Sequence, residues 1–300
     1  MSIADAAIAR MRGPRNMHII CIDVTNKCDL ACSNCTRLLE NQDHFWDITP
    51  ENFRLALRSL KGYWGVIAMI GGNPCMHKNF AELCQIFEEE VPNKLQRGLW
   101  TNNYFKHREL CEKTFGTFNL NSHGEQRAEE GLTELATAAR STGGVAWNYS
   151  GHSDHAPLLT AVKDLYPEQE MWDRIANCDI NREWSASIVQ NKGELRAYFC
   201  EVAASFDLAR GTDHGMPLTE GWWNKQITDF SDQVKRFCPG CGVPAKQKGN
   251  KDYEEIDTYT DSNADLAVKS LAKKNRKIIH LDATQKEEVN KRVTLYNSGQ

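Results

Sequence analysis

The sequence predicts an α/β fold: an open, partial parallel β/α barrel followed by a small β-hairpin extension that bears cysteines. Three observations lead there. Apolar segments alternate with stretches of helical periodicity between residues 17 and 170, the order that builds parallel β/α units. The ends of those apolar segments read NKCDLAC, GGNP, TNN, NSHG and NYSGHSDH, all polar or Gly-rich, and in such folds functional groups gather at the C-terminal ends of the strands. After about residue 176 the pattern changes to two short strands about a Lys192-Gly193 turn, a hairpin signature.

Residues 1–16 read as a short lead-in helix or arm, and Met17–Val24 as the first strand. Thr49-Pro50-Glu51 starts a helix, with Thr as N-cap, Pro at the first helical position and an acid in the first turn. That helix runs to about Leu60, and Gly62 closes it. Gly65–Ile70 is a buried strand by its continuous apolar character. Asn79–Glu89 places Phe80, Leu83, Cys84 and Phe87 on one helical face. Gln96–Trp100, Phe115–Leu120 and Gly144–Tyr149 complete the strands, with helices expected at Glu129–Ser141 and Pro157–Leu165. Ser185–Gln190 and Glu194–Phe199 form the hairpin. Residues 246–276 are rich in Lys, Asp, Glu, Asn and Ser and read as a solvated linker, with a helix at Asp265–Lys274. A strand at Lys277–Leu281 and a helix at Thr284–Leu295 end the chain. The expected division is a core over 1–176, a cysteine-bearing region over 177–245, and a linker with a terminal strand and helix over 246–300.

The chain has 300 residues, 41% hydrophobic and 25% charged, ordinary for a globular protein with a sizeable core. A net charge of −4 argues against a broad nucleic-acid-binding face while permitting a small nucleotide substrate. No secretory h-region precedes the cysteines, and no apolar run approaches the roughly 18 residues of a membrane span. Eleven cysteines in such a chain are better explained by metal or cluster ligation than by disulfides, and a reducing, cytoplasmic location is expected.

Cys28, Cys32 and Cys35 form a C-x3-C-x2-C run directly after the first strand. Three thiolates on one tight loop can hold three irons of a cubic cluster and leave the fourth iron open for a ligand. A structural zinc site is the alternative, but it needs a fourth ligand, and strand alternation turns Cys21 away. Gly71-Gly72-Asn73-Pro74 follows the second strand, where paired glycines permit a sharp turn and close approach to a ligand. This pair of motifs resembles the radical S-adenosylmethionine (radical SAM) superfamily, whose GGEP-like motif usually has an acid where this chain has Asn73.

The resemblance implies a [4Fe-4S] cluster on Cys28, Cys32 and Cys35 whose open iron chelates S-adenosylmethionine. It further implies cosubstrate contacts from Gly71, Gly72, Asn73, Pro74 and Thr101, with Asn121, Ser122 and Asn148 as candidate ribose partners. Asn102 could also line that pocket. His123, His152, Asp154 and His155 are the close cluster of acid/base groups; a metal there is the weaker reading than a polar loop. Cys75, Cys84 and Cys111 fall at or near helical apolar positions and read as small core residues.

Cys178, Cys200, Cys238 and Cys241 offer four thiolates. The stretch from Cys178 to Cys200 looks like the hairpin that bears an auxiliary [4Fe-4S] cluster in the SPASM and twitch subgroups of the family. Four cysteines rather than seven match the single-cluster, twitch-like form. C-P-G-C is also a zinc knuckle, so zinc is the alternative there. The resemblance implies reductive cleavage of S-adenosylmethionine to a 5′-deoxyadenosyl radical that abstracts hydrogen from a substrate, with an external flavodoxin- or ferredoxin-like one-electron reductant. About 16 residues before the first strand leave no room for a leader-binding domain, which favours a small-molecule or nucleotide-like substrate. A radical isomerase of viral DNA thymidine hypermodification, of the glycyl-thymidine type, is one concrete expectation. The alternatives are a SPASM-type peptide maturase and a non-catalytic zinc- or cluster-stabilised binding module.

Overall fold

The computed structural model describes residues 1–120, 136–137, 139–141, 143–147, 154–273 and 277–281. The strand β1 (Ile19–Thr25) is buried at all seven positions, as its near-continuous apolar run requires of a parallel strand covered on both faces. It is central to an eight-stranded sheet. On one side follow β2 (Val66–Gly71), β3 (Arg97–Thr101), β4 (Thr117–Leu120) and β5 (Val145–Trp147), each parallel to its neighbour. A short strand β6 (Asp154–His155) lies outside this sheet. On the other side of β1 comes β7 (Ser185–Asn191), also parallel, then β8 (Glu194–Tyr198) and β9 (Met216–Pro217), both antiparallel. The sheet ends at β5 and β9 and is an open, partial barrel.

The helices follow from local signals. α1 (Ile3–Ile8) carries a capping box between Ser2 and Asp5. α2 (Pro50–Ser59) starts with the Thr49 hydroxyl accepting from the Asn52 N–H, with Pro50 in the first turn. α3 (Phe80–Glu90) and α4 (Arg108–Thr114) complete the first three β/α units. Phe53, Phe80, Phe87, Phe115 and Phe118 pack between these helices and the sheet in the large outer core. On the opposite, lumenal face lies a small separate cluster: Ile19, Cys21, Ala68 and Trp100, joined by Val66, Ile70 and Trp184. Side chains alternate across β1, so Cys21 faces the lumen with Ile19.

The structure adds to the expectation at three places. The hairpin of the 177–245 region extends the core sheet, because β7 pairs with β1 from Ile19↔Ser185 to Ile22↔Ile188. The hairpin itself is as expected, with Lys192 and Gly193 both at positive φ in its two-residue turn. Helical periodicity also missed several short helices: α5 (Val162–Leu165) covers only the end of the expected Pro157–Leu165. It is followed by α6 (Glu168–Ala176), α7 (Asp179–Glu183), α8 (Glu201–Arg210) and α9 (Ser231–Phe237). The last difference is the polar stretch after residue 246, which is built into the fold. β10 (Asn250–Lys251) pairs with β6, β11 (Ile256–Tyr259) pairs in parallel with β12 (Lys277–His280), and α10 (Ala264–Lys273) lies between. Several of its polar side chains are buried: Asp252, Asp257, Thr260 and Asn263 are all inside. The expected helices at 129–141 and 284–295 fall wholly or mostly outside the described residues; 136–137 and 139–141 are helical.

Candidate functional site

The loop that leaves β1 carries Cys28, Cys32 and Cys35 and is held by three other parts of the chain. Its base is bonded to the 44–47 segment: the Asn26 side chain donates to Gln42 and to the His44 carbonyl, and Lys27 pairs with Asp47 at 2.6 Å. Its far side is held by the C-terminal segment. The Ser33 N–H donates to the Asp252 carbonyl, the Asn34 N–H to Asp257 Oδ1 at 2.7 Å, and the Ile256 N–H to Ser33 Oγ. His155, from β6, meets the Ser33 carbonyl through Nδ1 at 2.9 Å. Asn34 sits at φ 50°, a left-handed position that Asn tolerates.

The GGNP turn closes the other side. The Gly72 N–H donates to the Thr25 carbonyl and the Asn73 N–H to the Lys27 carbonyl, each at 2.7 Å. A Cβ on Gly71 would overlap the Thr25 carbonyl oxygen, and one on Gly72 that of Lys27. The two glycines are thus required first by the close approach of the cysteine loop, a cause the sequence did not reveal. Asn73 is buried and committed to the protein. Its Oδ1 accepts from the Cys75 N–H and the Thr101 hydroxyl, and its Nδ2 donates to the Asn103 carbonyl. A carboxylate in its place lacks that donor.

Cys28, Cys32, Cys35, Gly71, Gly72, Thr101 and Asn102 line one cleft of about 410 Å³ at the C-terminal ends of the strands. Asn73 and Pro74 lie beneath its wall and do not line it. Among the described residues the cleft holds no fourth cysteine. Cys21 is instead on the lumenal floor, its thiol 3.2 Å from Ser185 Oγ, and burial pushes its pKa well up. His155 lines the same cleft, with its Nδ1 at the Ser33 carbonyl. Asn121, Ser122, Asn148, His123 and His152 lie outside the described residues.

Trp100, Trp184 and Ile70 form the apolar wall of the cleft, and Arg37 and Glu201 a charged one. No sequence signal marked these two. Arg37 is 3% exposed and pairs with Glu201 at 3.0 Å and with Asp23, on β1, at 3.8 Å. Burial alone would lower its pKa, but the two carboxylates outweigh that and raise it, so the guanidinium stays charged. Burial raises the Asp23 carboxyl, and the guanidinium offsets this only in part. Glu201 Oε2 also accepts from the Ser185 hydroxyl.

The four other expected ligands converge. Cys178, Cys200, Cys238 and Cys241 line one small apolar cavity with Met11, Phe199, Phe206, Phe237 and Val243. Cys178 precedes α7, Cys200 precedes α8 and Cys238 ends α9, so three helix ends deliver them. The knuckle is fixed from outside: the Val162 N–H donates to the Cys241 carbonyl, and Asn263 Nδ2 to that of Gly240. Burial raises all four thiol pKa values, Cys200 to about 12, with Cys178 as the next cause there. Among the described residues, no three Cys, His, Asp or Glu side chains gather about a point where one metal ion would sit. Four thiols spaced around a common cavity suit a cubic cluster, which takes one thiolate ligand at each iron. Cys84 and Cys111 are buried in the outer core with Cys75, as expected of small core residues.

No protein-family model and no curated protein sequence matches the chain. Among solved structures, it is similar to BtrN in complex with AdoMet and 2-DOIA, with 18% identity and a TM-score of 0.49 over 75% of this chain and 92% of that one. It is also similar to Streptococcus suis SuiB bound to the precursor peptide SuiA, with 12% identity and a TM-score of 0.35 over 76% and 70%. SuiB bound to S-adenosylmethionine gives 13% identity and a TM-score of 0.33 over 76% and 69%. Among the described residues, no helix is long and apolar enough to cross a membrane.

Proposed function

We propose that this chain is a radical SAM enzyme with a second, auxiliary iron–sulfur centre. The observation that carries the reading is one cleft lined together by Cys28, Cys32, Cys35 and the Gly71-Gly72 turn. When bound, a reduced [4Fe-4S] cluster supplies the electron that cleaves S-adenosylmethionine into methionine and a 5′-deoxyadenosyl radical.

The protein's own residues place and shield the reactants. Cys28, Cys32 and Cys35 are the cluster ligands. Gly71 and Gly72 keep a backbone edge free of side chains beside them, and Thr101 and Asn102 line the same wall. Thr101 is fixed by its hydroxyl's bond to Asn73, and Asn102 by its bond to Asp29. Trp100, Trp184 and Ile70 give the cleft an apolar lining that limits water. Cys178, Cys200, Cys238 and Cys241 hold the auxiliary cluster, which with four protein ligands serves structure or electron transfer rather than cosubstrate binding.

The substrate in this reading is a small or nucleotide-like molecule, and the aromatic pair Trp100 and Trp184 suits a planar ring. Isomerisation of an amino-acid-decorated nucleobase, as in thymidine hypermodification of viral DNA, is the concrete form of the proposal. An external flavodoxin- or ferredoxin-like protein supplies the electron.

The test is anaerobic reconstitution followed by assays for iron, acid-labile sulfide and 5′-deoxyadenosine with dithionite. Iron, sulfide and dithionite-dependent 5′-deoxyadenosine are expected. A zinc-loaded, iron-free protein that does not cleave the cosubstrate would remove the enzyme reading.

A further inference from the structure

The charged wall of the cleft gathers two carboxyl groups about one guanidinium, with Asp23 behind Arg37 and Glu201 at the lining. Asp23, Arg37 and Glu201 are 3%, 3% and 8% exposed. A buried charge needs a partner, and here one guanidinium serves both carboxyl groups. Arg37 gives its Nη2 to Glu201 Oε2 at 3.0 Å, while Asp23 stands off from Nε at 3.8 Å. Nε and Nη1 have no hydrogen-bond partner.

Glu201 is the member of this group able to act on a ligand. Its Oε2 is taken by Arg37 and the Ser185 hydroxyl, with the Cys21 thiol at 3.5 Å. Among the described residues, Oε1 accepts no hydrogen bond, yet it is not a sealed, unsatisfied atom, and Glu201 lines the cleft. A carboxylate at a cleft lining with one oxygen anchored and the other without a hydrogen bond is a donor-seeking site, and charge-assisted hydrogen bonds are the strong ones. Trp100, Trp184 and Ile70 line the same cleft.

We propose that Glu201 binds an ammonium group of the substrate at the charged wall of the cleft, with Arg37 and Asp23 positioning it and the two tryptophans packing on the substrate's ring. This rests on the cleft being the substrate pocket of the enzyme proposed above. The substrate class is a planar ring that carries an amine. The ammonium gives the second oxygen of Glu201 a charged donor. A hydroxyl in its place offers only a neutral donor, and neutral hydrogen bonds are the weaker ones.

Benzylamine and benzyl alcohol are suitable probes, since they share ring and shape and differ in the cationic head. Calorimetric titration into the reconstituted protein with S-adenosylmethionine present should give benzylamine at least about tenfold higher affinity, the scale of a charge-assisted hydrogen bond. Glu201→Gln should abolish the preference. Asp23→Asn should reduce it about threefold, and reads the same triad if the first variant does not fold. Equal affinity for the two probes in the wild type, or a preference unchanged in both variants, overturns the proposal. So does a tenfold loss of S-adenosylmethionine affinity in Glu201→Gln with benzylamine binding unchanged, which would assign the carboxylate to the cosubstrate. Wild-type 5′-deoxyadenosine formation, measured on the same preparation, separates this failure from failure of the enzyme reading.

Discussion

The backbone N–H of Asn34, inside the loop of the first three cysteines, donates to Asp257 Oδ1 at 2.7 Å, across 223 residues of chain. Asp257 lies on β11, in the stretch whose composition reads as a linker. The bond is buried at both ends, and its acceptor is a carboxylate, so its loss should be costly. Asp257→Ala should destabilise the loop by about 1–3 kcal/mol, the penalty for a buried donor left unsatisfied. The expected result is several-fold faster loss of iron to a chelator, with secondary structure by circular dichroism close to wild type. An unchanged rate would mean that the loop does not depend on the C-terminal segment.

Cys28→Ala, Cys32→Ala and Cys35→Ala should each abolish reductive cleavage of S-adenosylmethionine, because three ligands leave none in reserve. The measurement is 5′-deoxyadenosine formed with dithionite under anaerobic conditions. Full activity in any one of the three would refute the ligand assignment.

Gly72→Val tests the turn. A Cβ there would overlap the Lys27 carbonyl, one residue before Cys28, so the substitution must displace the cysteine loop. Iron content and cosubstrate affinity should therefore fall together. A variant with full iron and weakened cosubstrate binding would show that the glycine serves the ligand alone.

The double variant Cys238→Ala with Cys241→Ala should lower iron by about half, on four protein ligands for the lost cluster. Some cleavage of S-adenosylmethionine should survive, uncoupled from product. A protein that keeps all its iron would remove the auxiliary centre.

His77 gives a pH dependence. Its Nδ1 accepts from the Asn79 N–H and its Nε2–H donates to the Ile48 carbonyl, so the folded state uses the neutral ring. Burial lowers its pKa from 6.5, with the bond to Ile48 acting against this. A depressed histidine means that the unfolded chain binds the proton first as pH falls below 6.5. Stability should therefore decline with falling pH from about 6.5 until the folded-state pKa is reached. His77→Gln, compared by urea midpoint at pH 7.5 and 5.5, should show a smaller decline than wild type. An identical decline would place the sensitivity elsewhere.

The parallel strands were legible because each is a short apolar run ending in Gly or polar residues, and β1 to β5 fall where those runs do. That each cysteine set gathers about one cavity was anticipated from spacing and resemblance, since residue type is a local signal. What escaped was long-range. Nothing local in Arg37, Asp23 and Glu201 says that three charges from separate elements meet in the lumen. Asp252, Asp257 and Asn263 have the composition of a solvated segment, but their polar groups are satisfied by distant backbone rather than water. The role of β7 was also hidden, because a hairpin's turn is written in its own sequence and its pairing with β1 is not.

That pairing bears on how the chain tolerates being cut. β7 supplies the hydrogen-bonding partner for one whole side of β1, along Ile19 to Ile22. A fragment ending at residue 176 would leave this apolar strand as a bare sheet margin, the template on which other chains add and precipitate. Proteolytic or engineered division there should thus yield insoluble material rather than a smaller working unit, and co-expression of 177–300 should rescue it by capping that margin.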